Sequence, residues 1–410
     1  MRRILYLYIL VATLLVSCQK GDDYTSPRAN LAECEQVTIM YFMGTDLRST
    51  YLYHNIPDVK SAIAGGALGS NGRLFVFIPG YSDAELYELY EKDGVCYSDP
   101  IVTYGSNESL SEERMTMVLN KVKSFASAKT YNIVFSGHGT GWVFKNWTDL
   151  ASVRSSVGSG STSWQLSFEQ EQEGLTRYMG VSTDGYMDIT ELRSALDATS
   201  TTYGYLLFDM CLMSNIETLY ELKDVCENVI ASPSEVMGNG FPYQVVLPEL
   251  FEDDGATADL NGACYAYYNA YKSSSSSPYA TVAHCVTSYL DDLANVVRSI
   301  NEAGVEDVDI DDVQCYEKLT NNIFCDLGDY ISQACTDSDL LAEFESVMSS
   351  AFPEESRYHT DYFFTNLKNH AGYVYVYSDK YWGVSTSDPS DVLRTDWAQT
   401  SWAVATTAGE

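Results

Sequence analysis

Between residues 37 and 290 the chain alternates short apolar runs with longer stretches of helical spacing. Val37-Thr38-Ile39-Met40-Tyr41-Phe42-Met43, Leu74-Phe75-Val76-Phe77-Ile78, Tyr131-Asn132-Ile133-Val134-Phe135 and Tyr205-Leu206-Leu207-Phe208 are rich in β-branched and aromatic residues. Their length and near-continuous apolar character predict strands buried on both faces of a parallel sheet. Residues 55–64, 111–128, 188–196 and 214–222 place apolar side chains at helical intervals, so strand and helix alternate in the manner of βαβ units. Asp93-Gly94, between the runs 85–92 and 95–98, is a two-residue hairpin signal. Residues 279–287 are expected as an edge strand. Past residue 290 helical spacing dominates (288–300, 327–334, 340–349), with a strand at 373–377. The pattern predicts an α/β fold, a mainly parallel sheet flanked by helices, followed by a mostly helical α+β accessory region.

Two of the apolar runs end in residues that carry chemistry. Ser136-Gly137-His138-Gly139-Thr140-Gly141-Trp142 closes the third run, and Asp209-Met210-Cys211 closes the fourth, just before a helix. Both motifs thus fall at the carboxyl ends of strands, where open α/β sheets bind their ligands. A thiol is only a few per cent thiolate at neutral pH, and an imidazole within reach can take its proton and return one to a leaving amine. Cys211 is the candidate nucleophile and His138 the candidate acid-base. Gly139 lets the backbone approach a substrate carbonyl closely, and its amide and that of Cys211 are candidate oxyanion donors. If the strand stays extended through its turn, Asp209 and Cys211 point to the same side. An anion there hinders thiolate formation, so Asp209 is better suited to receiving a cationic substrate side chain.

These motifs, in this order, resemble the clostripain family of cysteine peptidases, relatives of caspases, gingipains and legumains. Residues 37–43 with Gly44 and Asp46 look like the family's first strand. Ala231-Ser232-Pro233-Ser234-Glu235-Val236-Met237-Gly238-Asn239-Gly240-Phe241-Pro242-Tyr243 looks like the loop after its next strand. The resemblance covers roughly residues 36–290. It implies a caspase-like catalytic domain over 36–288, an accessory region over 289–410, and cleavage of peptide bonds after Arg or Lys through an acyl-enzyme. It also implies His138 and Cys211 as the dyad, Gly139 at the oxyanion site and Asp209 in the pocket for the basic residue, with Glu235 as a second negative charge there. The rival reading is a non-catalytic lipoprotein that uses the same scaffold to bind peptides or proteins. A serine hydrolase built on Ser136 ranks behind both, because no nucleophile-elbow motif is present.

The amino terminus adds a location. Arg2 and Arg3 precede an apolar stretch from Ile4 to Val16, too short to span a bilayer comfortably and read as a signal peptide, residues 1–17. Leu15-Val16-Ser17-Cys18 matches the bacterial lipoprotein cleavage box, in which Cys18 is acylated and a tether, residues 18–35, follows. Gln19-Lys20-Gly21-Asp22-Asp23 resembles the tether that sends Bacteroidetes lipoproteins to the outer face of the outer membrane. The formal net charge of −33 excludes nucleic acid as a partner and suits basic polypeptides, although surface solubility explains it equally well. The chain carries ten cysteines and 32 tyrosines. Cys315, Cys325 and Cys335 form a suggestive cluster for pairing in an exported chain, and the absence of a CxxC pair argues against zinc.

Residues 142–180 break the pattern. Ser155–Ser163 is small and flexible in composition and is flanked by Lys145, Arg154 and Arg177. The resemblance implies self-cleavage after a basic residue between His138 and Cys211, with Lys145 or Arg154 as the sites. The chemistry requires no cofactor. The resemblance allows calcium, with no locatable site: Asp184-Gly185 through Asp188 and Glu191 is only a faint calcium-loop pattern, and Asp188 with Glu191 reads better as a helix capping box. His54, His284, His359 and His370 read as surface or satisfied core residues.

Overall fold

In the computed structural model, which describes residues 28, 31–143, 187–319, 321–366 and 371–407, a nine-stranded sheet separates two hydrophobic layers. Its strands are β1 (Cys34–Phe42), β2 (Gly72–Pro79), β3 (Ala84–Lys92), β4 (Val95–Tyr104), β5 (Ala128–Ser136), β6 (Leu206–Asp209), β7 (Asn228–Ala231) and β8 (Thr281–Val286). After β9 (Cys325–Asp326), which pairs elsewhere, β10 (Arg357–His359) completes the sheet in the order β10-β8-β7-β6-β5-β1-β2-β3-β4. The five central strands β7, β6, β5, β1 and β2 run parallel. Both edges are antiparallel.

The central strands are apolar on both sides because helices cover both faces. Val37, Ile39 and Tyr41 of β1 face Met115, Val118, Leu119 and Val122 of the helix Glu112–Phe125. Met40 and Phe42, one position out of phase, face Val59 and Ile63 of the helix Ile56–Ala64. The period-2 alternation thus serves two cores at once, and each such fully buried side chain contributes roughly 1.5–3 kcal/mol. Ser111 caps the helix Glu112–Phe125 by accepting from the Arg114 amide at 3.2 Å, with Glu112 and Glu113 in the favourable first turn. Asp93 and Gly94 both adopt positive φ (54° and 75°), the geometry of a type I′ hairpin. Asp188 and Glu191 form the capping box of the helix Ile189–Asp197, while residues 184–186 of the calcium-like pattern lie outside the described residues.

One expectation changes. β8 is not an edge strand: β10 pairs along its outer side. With only three residues and no apolar run, β10 leaves no periodic signal. The region after 288 packs on the sheet: helices Leu290–Ala303, Ser338–Ala351 and Ser401–Thr406 place Leu293, Val297, Phe344, Met348 and Trp402 in the same core cluster as Leu206, Phe208 and Leu219. β11 (Tyr362–Thr365) and β12 (Gly372–Tyr375) form a hairpin, and β9 pairs with β13 (Ser385–Thr386). Of the suggestive cysteine cluster, Cys315 and Cys325 are joined, and Cys335 is a buried free thiol.

Two buried carboxyls hold this carboxyl-terminal part in place. Asp326 accepts from the Tyr316 hydroxyl and from the amides of Gly328, Asp329 and Trp382. Glu317 Oε1 accepts from the amides of Ile323 and Phe324, while Oε2 has no hydrogen-bond partner among the described residues. Burial pushes both up to about 7. Between about pH 4 and pH 7 the folded chain therefore keeps protons that the unfolded chain has released. Stability falls as pH rises through that window, by up to about 4 kcal/mol per group. Glu317→Gln reproduces the protonated shape. Denaturant titrations from pH 5 to 8 are expected to show a shallower decline for this variant than for the wild type; parallel declines would contradict the assignment.

Candidate active site

Parallel pairing sets the site. β5 and β6 are neighbours in register, with Ser136 opposite Asp209. His138 and Cys211 each lie two residues beyond that pair, so both leave the sheet at the same rim, next to the point where strand order reverses between β1 and β5. The turn after β1 comes to the same rim: the Met43 amide donates to the Ser136 carbonyl at 2.8 Å. Tyr51 clamps the two together, its hydroxyl donating to the carbonyls of Met43 (3.1 Å) and Ser136 (3.3 Å).

Contact between the two motifs is close. A Cβ built on Gly139 would lie 2.3 Å from the Cys211 carbonyl oxygen and 3.1 Å from its amide nitrogen. Only glycine lets the backbone after His138 lie against the backbone of Cys211. Cys211 is fully buried, and its Sγ accepts from the Val236 amide at 3.3 Å. The thiol also donates to the Val236 carbonyl at 3.8 Å, so one residue of that loop meets the sulfur through both its amide and its carbonyl. His138 is half-buried.

Asp209 does not extend straight into Cys211. β6 ends at Asp209 and a turn follows, with Leu212 at φ 61°, so the extended-strand premise stops one residue short. The carboxylate is 0% exposed. Oδ1 accepts from the Phe241 amide at 3.0 Å, and Oδ2 from the Tyr243 hydroxyl at 2.8 Å and the Ser136 hydroxyl at 3.3 Å. These three donors, all neutral, orient the carboxylate. Tyr267 lies near enough that burial, followed by Tyr271, Asp209 and Cys211, drives its hydroxyl well above the usual phenol range. Ser136, buried and committed to Asp209, is not placed as a nucleophile.

Glu235 is held by the β11–β12 hairpin. Its Oε1 accepts from the Thr365 hydroxyl (2.6 Å) and the Asn366 amide (2.9 Å), tying the end of β11 to the loop that supplies Val236. That contact makes it a strut between the hairpin and the cysteine loop. Lys145, Arg154 and Cys18 lie outside the described residues. Among the described residues, no group of three or more His, Cys, Asp or Glu is placed to hold a metal ion, and no helix is long and apolar enough to cross a membrane. His284 is a core histidine, bonded to Asn261 and Asn228 and lowered to about 4 by burial.

Sequence reasoning gave no role to a third group of residues. Glu217, in the helix Ile216–Leu222 that follows Cys211, accepts from Thr386, the Ser387 amide and Trp397. Burial raises its carboxyl above the ordinary range. Ser387 in turn accepts from the Trp142 indole at 2.8 Å. The loop bearing His138 and the helix after Cys211 are thus held by one carboxyl-terminal segment. The only signal in the sequence was Trp142 itself, an aromatic donor closing a glycine-rich turn.

Comparison with known proteins agrees with this arrangement. The model of the clostripain family (peptidase C11) matches residues 166–385, more than half of the chain. That segment contains Cys211 and runs well past residue 290, where the resemblance read from the sequence faded; His138 precedes it. No curated protein sequence matches. Among solved structures, a secreted C11 cysteine protease from Bacteroides thetaiotaomicron, "iotapain", superposes with a TM-score of 0.76 at 29% identity, over 92% of this chain and 100% of that one. An inactive zymogen C11 protease from Parabacteroides distasonis gives 0.74 at 23% identity, over 92% and 99%. A clostripain from Bacteroides thetaiotaomicron in complex with the peptide inhibitor BTN-VLTK-AOMK gives 0.51 at 32% identity, over 56% and 99%. A caspase-like, mostly parallel sheet flanked by helices is therefore what the chain shares with its relatives: it belongs to the clostripain family and is a cysteine peptidase.

Proposed function

We propose that the chain is an endopeptidase that cuts after Arg or Lys by means of a His138–Cys211 dyad. The observation that carries the reading is the pairing of Ser136 with Asp209 on adjacent parallel strands, with Gly139 packed on Cys211. His138 takes the Cys211 proton, and the sulfur attacks the scissile carbonyl carbon. The amides of Gly139 and Cys211 stabilise the oxyanion. Collapse breaks the C–N bond, with His138 returning the proton to the departing amine. Water, deprotonated by His138, then cleaves the thioester, releasing the new carboxyl terminus and the thiol. Asp209 receives the substrate cation, and Glu235 positions the loop that carries Val236. Peptide reporters with Arg, Lys or a neutral residue before the bond test this. The expected kcat/KM preference for a basic residue is about 100-fold or more; equal rates on all three would refute it.

The same reading includes maturation and anchoring. The proposed preference for Arg or Lys, the flexible composition of residues 155–163 and the flanking Lys145 and Arg154 support self-cleavage in that segment. The secreted relative and the cleavage box at Cys18 support an exported, lipid-anchored protein. Intact-mass measurement on protein extracted from membranes with detergent reads both. Wild type is expected as two fragments broken after Lys145 or Arg154, with an acylated amino terminus at Cys18, and Cys211→Ala as one acylated chain. Identical single chains would rule out self-cleavage, and an unmodified amino terminus would rule out the anchor.

A further inference from the structure

One face of the β11–β12 hairpin is aromatic and points outward. Tyr362 pairs with Tyr375 and Phe364 with Tyr373 across the strands. Tyr377 continues the row, so Tyr373, Tyr375 and Tyr377 recur at every second position. Tyr362, Tyr373, Tyr375 and Tyr377 are 45%, 57%, 45% and 52% exposed, whereas Phe363 and Val376, of opposite phase, are each 1% exposed. The rings are already ordered against one another: Tyr362 on Tyr375 at 5.3 Å, Tyr375 on Tyr377 at 4.9 Å, and Tyr373 on Phe364 at 5.4 Å. Burial does not explain four ordered tyrosines on a solvent-facing surface.

The row borders a groove of about 620 Å³ whose lining includes Tyr373, Tyr375 and Tyr377 together with Asp311, Asp312, Lys318 and Lys380. Among the described residues β12 pairs with β11 alone; on its second edge the Tyr377 amide donates to Gln314 Oε1 at 3.0 Å, and the edge at Tyr373 and Tyr375 is left for another extended chain. The hairpin is also continuous with the active site. Thr365 and Asn366 bond to Glu235, and the next residue, Val236, donates to the Cys211 sulfur. Gly372 lies opposite Thr365, so the tyrosines run away from the thiol over about 17 Å of strand.

We propose that this tyrosine row is an exosite that holds an extended stretch of the polypeptide substrate remote from the bond being cut. The occupant follows from spacing. Side chains two apart on a strand repeat at about 6.8 Å, the same interval as in an extended polypeptide laid beside it, so every second side chain of the substrate meets a tyrosine. Aromatic side chains offer large contact area at little cost in conformational freedom. The strongly negative chain draws the basic polypeptides that the active site cuts. The inference rests on the proposed peptidase reading only for the identity of the occupant.

Binding separates the two. In Cys211→Ala background, which cannot cut, fluorescence anisotropy measures the binding of reduced, alkylated hen lysozyme, an unfolded basic chain. Tyr373→Ala/Tyr375→Ala/Tyr377→Ala is expected to weaken this binding at least fivefold. In the catalytically intact background the same triple change is expected to lower kcat/KM on unfolded lysozyme at least fivefold and to stay within twofold on a short reporter. Asp311→Asn/Asp312→Asn, on exposed residues that line the same groove, is expected to weaken binding with the fold undisturbed. Unchanged lysozyme binding in both variants overturns the exosite, as does an equal fall on short and long substrates, which would mark the hairpin as structural. Displacement of lysozyme by maltoheptaose would also overturn it, by showing that the row takes sugars. A chain that binds lysozyme through the tyrosines and cleaves no reporter would leave the exosite standing and refute the peptidase specificity instead.

Discussion

Cys211→Ala is expected to lower kcat on an Arg or Lys reporter by about 10,000-fold or more, with the fold retained. The two halves of that expectation have different physical sources. Cys211 is fully buried and small. Its loss removes one sulfur and leaves the Val236 amide without that acceptor, a cost of about 1–3 kcal/mol. That is too little to unfold a chain with two extensive cores, and circular dichroism is expected to match the wild type. The chemistry, by contrast, has no substitute: without the sulfur there is no acyl-enzyme, and only positioning and the oxyanion donors remain. His138→Ala removes the group that moves every proton in the cycle. Because the two residues act as a unit, the double variant is expected to be no slower than either single one. Activity within tenfold of wild type in either variant would dissolve the dyad.

What the sequence revealed, and what it hid, follows from the range of the interactions. β1, β2, β5 and β6 were legible because a strand covered on both faces is apolar throughout. The Asp93-Gly94 hairpin and the Asp188 capping box were legible because their geometry is set by residues within three positions of each other. His138 and Cys211 could be placed at strand ends for the same local reason. The register of β5 on β6, which brings them to one rim, was inferred from fold class alone. Sequence spacing gave no hint of the struts. Trp142 meets Ser387 across 245 positions, and Glu217 meets Ser387 across 170. An amphipathic helix such as Leu290–Ala303 declares that it has a buried face but not which face it meets. That the carboxyl-terminal region supplies β10 to the central sheet and holds both the loop of His138 and the helix after Cys211 was therefore not legible. The partner of Glu235 was hidden in the same way. The charge of Glu235 suggested a pocket, and its partner, Thr365, lies 130 positions away.

Asp209→Asn is expected to cut kcat/KM for Arg and Lys reporters by about 30- to 1,000-fold while leaving a neutral reporter nearly unchanged. Geometry allows the exchange. The Phe241 amide fixes one end of the side chain as an acceptor, so the new amide group takes the Oδ2 position, and the hydroxyls of Tyr243 and Ser136 turn to accept from it. The packing cost stays near that of one rearranged hydrogen bond, about 1 kcal/mol. What disappears is the charge. A guanidinium or ammonium brought into a site that excludes water gives up its hydration, and only a fixed negative charge offsets that cost. The loss thus falls on basic substrates alone and converges on the neutral rate, a signature that misfolding, which lowers all rates together, does not share. Tyr243→Phe is the matching control. It removes a neutral donor and keeps the carboxylate, so the preference for basic residues is expected to survive it, with at most about a tenfold loss in rate. An unaltered ratio of basic to neutral cleavage in a folded Asp209→Asn protein would move the specificity pocket away from Asp209.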